Sequence, residues 1–76
     1  MAFDARTFTD CYAAALGVDA LSEADVEAVL DLAGTAAHAS ERTAAPLSCW
    51  LAATSGLTPA EALAAARDVA ESLRGI

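Results

Sequence analysis

Thr58-Pro59-Ala60-Glu61-Ala62-Leu63 opens an α-helix by three independent signals. The Thr58 hydroxyl can accept a backbone N–H from Glu61. Pro59 takes the first helical position, where its missing N–H has no acceptor to lose, and Glu61 can reach back to the Thr58 amide. Leu63, Ala66, Ala70 and Leu73 then recur at three- and four-residue spacing until Gly75, where the helix frays. A helix with so defined a start sets the frame in which the rest of the chain is read.

Upstream, Gly56 ends a helix that begins near Ala44. Pro46 is tolerated in its first turn because amides there lack intrahelical acceptors. Leu47, Trp50, Leu51 and Thr54 share one of its faces. Ser40 to Thr43 form a short polar connection to an earlier helix that starts after Ser22, with Asp25 three residues on as a shortened capping box, and ends near His38 or Ala39. Val26, Val29, Leu30, Ala33 and Ala37 form its expected inward stripe, and Asp19, Glu23, Glu27 and Asp31 line the opposite face. Gly34 costs about 1 kcal/mol in a helix interior, and a close helix–helix approach is its expected reason. The first helix runs from about Ala5 to Leu16, with Asp4 as N-cap, Phe8, Cys11, Tyr12 and Ala15 on one face, and a Schellman-like ending at Gly17-Val18. Ala, Leu, Glu and Arg dominate throughout and favour helix. Short connections fold consecutive helices back on one another. The expected fold is all-α, a small four-helix antiparallel or slightly splayed bundle forming one domain over residues 1–76.

Composition narrows the functional classes. A chain of 76 residues should expose roughly 4,300 Å² when folded and bury about 60% of its unfolded surface. That leaves no room for a deep catalytic chamber. Its hydrophobic fraction of 57% includes 22 Ala, so the larger apolar side chains number only nineteen, and stability on the order of a few kcal/mol follows. Self-association that buries more surface would add to it. Four Arg, no Lys and a net charge of −7 repel phosphate backbones and anionic lipid, so neither nucleic acid nor membrane is expected as a partner. No apolar run has the length of a membrane span, and Met1-Ala2-Phe3-Asp4-Ala5-Arg6 lacks the pattern of a signal peptide. Cys11 and Cys49 read as reduced, mostly buried thiols of a cytoplasmic protein.

Candidate chemistry concentrates at the junction between the second and third helices. His38, Arg42 and the amides near Ala44 and Ala45 could gather around an anion. The plainer reading has His38 capping its own helix and Arg42 pairing with Glu41 or a helix end. Glu23, Glu27 and Asp31 lie about 6 Å apart along a straight helix, which suits a solvated face better than a cation site. Cys11, Cys49 and His38 lack paired zinc-ligand spacing, and thiols beside apolar stripes are inert. The hydroxyls show no nucleophile elbow and no glycine-rich phosphate loop exists. Trp50 is either an exposed partner anchor or the largest core side chain, and so small a domain favours the core. Acyl carrier proteins are also small, acidic and helical, but their Asp-Ser-Leu attachment motif is absent from Leu21-Ser22-Glu23-Ala24-Asp25. No enzyme and no cofactor is expected.

The stretch Val29-Leu30-Asp31-Leu32-Ala33, Ala37-His38, Arg42, Ala44-Ala45-Pro46-Leu47 and Leu51 resembles a small actinobacterial helical domain family of uncharacterised function. Its members are similar either to stand-alone proteins of this size or to segments joined to a molybdenum cofactor guanylyltransferase. Such sequences carry Pro soon after the Arg, where this chain has Thr43, and a charged residue near Gly34; both differences bear on loop geometry. The resemblance implies a non-catalytic accessory role near molybdenum cofactor maturation and adds weight to His38 and Arg42. The expected function is recognition of a protein partner, such as that guanylyltransferase or a maturation factor, through His38, Arg42, Pro46, Leu47 and Trp50. The alternatives are an anionic-ligand site for phosphate, nucleotide or pterin at the same junction, and a structural homodimer.

Overall fold

The computed structural model describes residues 3–75; Met1 and Ala2, which begin the stretch read for a signal peptide, and Ile76 lie outside them. Four helices follow in order: α1 (Ala5–Leu16), α2 (Glu23–Ala39), α3 (Ala44–Thr54) and α4 (Pro59–Arg74). The fold is the small all-α bundle expected from the sequence.

The helix ends are set by local chemistry. Asp4 accepts the Thr7 N–H at 2.7 Å, Ser22 Oγ accepts the Asp25 N–H at 3.1 Å, and Thr58 and Glu61 exchange both hydrogen bonds of a capping box. At the end of α1 the chain turns at Gly17, φ 73°, and the Val18 and Gly17 amides close onto the carbonyls of Ala13 and Ala14. That left-handed residue is strained for any side chain with a Cβ.

Hydrogen bonds from Thr7 and Thr58 hold the carboxyls of Asp4 and Glu61 below their ordinary range. A carboxyl depressed on folding contributes stability that is present above its unfolded pKa and lost as pH falls through its folded one. Helicity should therefore hold from neutral pH to about pH 4 and decline below it. Asp4→Asn and Glu61→Gln should flatten that acid limb in a pH titration followed by far-UV circular dichroism.

α2 is the centre of the molecule. It packs against both α3 and α4, which touch each other only slightly, and α1 packs on none of the three. The buried core is small: Leu32, Ala62 and Leu63, with Cys49, Ala52 and Ala66 around them. Two expectations about α2 are corrected here. Leu32, not Leu30, enters the core; Leu30 is 65% exposed. A helix with neighbours on two sides needs an apolar arc wider than one stripe, and that arc runs through Val29, Leu32, Ala33 and Ala36, leaving Leu30 at its outer edge. Gly34 does not mark a close approach either, since a Cβ there would meet nothing within 4 Å. Gly34→Ala should accordingly stabilise the fold by about 0.5–1 kcal/mol, through propensity and a less flexible unfolded chain, read as a higher urea midpoint.

Candidate functional site

α3 carries no charged residue, and the uncharged run extends from Thr43 to Ala60. A helix apolar on all sides is ordinarily enclosed on all sides. Here the small residues Ala45, Ser48, Cys49 and Ala52 take the half-buried side towards the rest of the fold. They allow a close approach: Cys49 Sγ lies 4.0 Å from the Val29 carbonyl oxygen, and burial raises its pKa. The large residues are left facing outwards, with Leu47 66%, Trp50 74% and Leu51 67% exposed. Trp50 is therefore not the core side chain it was expected to be. Cys11 is likewise exposed on α1, contrary to its expected burial.

The junction between α2 and α3 is built from turns. Ala44 N–H donates to the Glu41 carbonyl and Ala45 N–H to that of Arg42, so both amides are already engaged by the chain's own carbonyls. The Thr43 hydroxyl donates to Glu41 Oε1 at 3.0 Å. His38, Arg42, Pro46 and Leu47 are all exposed. His38 opens onto a groove of about 920 Å³ between α2 and α4, where Arg67 and Arg74 join it together with Asp31 and Glu71. Arg42 does not line that groove. The geometry thus divides the expected site: His38 belongs to the α2–α4 groove, Pro46 lies in the first turn of α3, and Leu47 and Trp50 belong to its outer surface. Among the described residues no group of three or more His, Cys, Asp or Glu could hold a metal ion. No helix among them is long and apolar enough to cross a membrane.

Two features escaped the sequence reading. Arg67 and Arg74 reach the same groove as His38, a convergence that depends on how α4 lies against α2. The second is α1, whose Phe8, Tyr12 and Leu16 remain 64%, 54% and 58% exposed, with the Phe8 and Tyr12 ring centroids 6.0 Å apart. Their four-residue spacing was legible as a face; that the face has no neighbour within the chain was not.

A family model for a domain of unknown function, DUF6457, matches residues 4–75. The chain belongs to the DUF6457 family. The match spans all four helices, so α1 is part of the DUF6457 domain even though it packs on none of the others. Neither the curated proteins nor the solved structures contain a match to this DUF6457 chain.

Proposed function

We propose that this DUF6457 chain is a non-catalytic, cytoplasmic interaction module that recognises a protein through the outer surface of α3 and the adjoining α2–α3 junction. The observation that carries this reading is Trp50, 74% exposed on a helix without a single charge. Exposed contiguous apolar side chains mark interaction surfaces, and Trp is the most enriched anchor at their centres. Leu47 and Leu51 flank it, while Arg42 and Pro46 edge it at the junction. The net charge of −7 argues against nucleic acid as the partner. The resemblance of the His38–Leu47 segment to domains joined to a molybdenum cofactor guanylyltransferase supplies the class of partner: that enzyme or a factor in maturation of the same cofactor.

The test is a pull-down from native cell extract with the chain as bait, read by mass spectrometry. The expected result is capture of a molybdenum cofactor enzyme that is lost with Trp50→Ala and weakened with Arg42→Ala. Capture that neither substitution changes would overturn the assignment of the surface.

A second reading is favoured by the α2–α4 groove, where the lone histidine meets two of the four arginines. It is a site for a small anion such as phosphate or a nucleotide. Binding of that kind weakens as salt rises and is lost with Arg67→Ala, whereas docking on α3 is insensitive to both.

A further inference from the structure

We infer that, until such a partner binds, the α3 surface is covered by a second copy of this chain, with α1 of each copy laid over α3 of the other. The inference rests on the interaction surface proposed above and names what shields it in the purified chain.

The chain exposes 5896 Å², about 1,600 Å² more than a folded monomer of its mass. Two copies that each covered this excess would bury about 3,200 Å² in all, within the roughly 2,000–5,000 Å² of obligate homodimers. A partner touching only the tip of Trp50 would leave most of the excess uncovered.

α1 carries its large apolar side chains away from the chain. Arg6, Asp10 and Ala13 share one face; Arg6 and Ala13 are the half-buried residues of the helix, while Asp10 stays exposed. The Arg6 guanidinium donates to the Leu21 carbonyl, its Nη1 is enclosed, and it pairs with Asp10 at 3.4 Å. Phe8, Tyr12 and Leu16 therefore point away from the molecule. α1 packs on no other helix of its own chain, which leaves these side chains without cover there and open to a second molecule.

Among its exposed apolar side chains, one chain offers those of α1 and α3 on helices of near-equal length, twelve residues in α1 and eleven in α3. A two-fold pair that sets α1 on α3 covers both surfaces twice, which is what a self-complementary interface requires. The charges do not obstruct it. α3 has none, and the two of α1, Arg6 and Asp10, pair with each other, so the repulsion between two acidic copies is long-range and screened by salt. Added salt should tighten the pair, the opposite of its effect on an anion site.

The experiment is sedimentation of the purified chain from about 1 to 100 µM, combined with isotope-filtered NOE spectroscopy on a mixture of labelled and unlabelled chains. The expected result is a dimer with contacts between the Tyr12 ring of one copy and the Trp50 ring of the other. A helical monomer across the range overturns the inference, as do contacts confined to one chain or a dimer lacking the Tyr12–Trp50 contact. Trp50→Ala should weaken the pair by about 30-fold or more, while Leu30→Ala, exposed on α2, should leave it unchanged. A monomer in this experiment leaves intact the reading that α3 recognises another protein, which the pull-down decides separately.

Discussion

Leu32→Ala should lower the melting temperature by about 10–30 °C, and Leu30→Ala, two residues away, by no more than a few degrees. Leu32 is 3% exposed and sits where α2 meets Ala62 and Leu63 of α4. Truncating a buried leucine removes its transfer free energy and leaves a cavity, about 2–5 kcal/mol together. A domain of this size melts about 4–8 °C earlier for each kcal/mol lost. Among the described residues the core holds three that are buried, and two of its surrounding neighbours are alanines, so little side-chain volume besides Leu63 stands ready to close the gap. At the 0.05–0.15 kcal/mol per residue typical of folded domains, such a loss takes a large part of the total stability. Leu30, 65% exposed, falls among surface substitutions that move stability by about 0.5 kcal/mol or less. Thermal melts of both variants by circular dichroism decide the matter. A larger fall for Leu30→Ala would mean that α2 is rotated and that the stripe read from spacing alone is the true core face.

That pair of leucines shows where the sequence is legible and where it is not. Helix ends were readable because each depends on residues within one turn: Asp4 to Thr7, Ser22 to Asp25, Thr58 to Glu61, Gly17 to Ala13 and Ala14. A cap works the same way whatever the helix later packs against. Facing is a tertiary property. Periodicity shows a side only when polar residues mark the other side, and α3 has no charges to mark one. Its small face turned inwards because Ala45, Ser48, Cys49 and Ala52 permit close approach to α2, and the side chains that size alone would assign to a core were left outside. The same limit applies to the site. His38, Arg42, Pro46, Leu47 and Trp50 were named as one constellation because they are near in sequence, yet His38 opens with Arg67 and Arg74 onto the α2–α4 groove while Leu47 and Trp50 lie on the outside of α3. Arg67 is 29 residues from His38, and no local pattern connects them.

Trp50→Ala should weaken association by about 30-fold or more while leaving the fold of the isolated chain in place. A tryptophan contributes about 150–250 Å² of buried surface when covered, and anchors of this type at the centre of an interface are worth about 2 kcal/mol or more on truncation, which is about 30-fold in Kd. None of that loss can pass through the fold, because at 74% exposure Trp50 takes no part in the core of Leu32, Ala62 and Leu63. Arg42→Ala supplies the contrast. It removes an exposed charge at the edge of the same surface, for which less than about 1 kcal/mol is expected, and that effect should fade as salt rises. Measuring the dissociation constant and the melting temperature of both variants separates the roles. A Trp50→Ala protein that melts as early as Leu32→Ala would place the indole in the core and remove the basis for an anchor on α3. A protein that melts normally but no longer associates would locate the binding free energy on the one helix of this chain that has nothing charged to keep it in water.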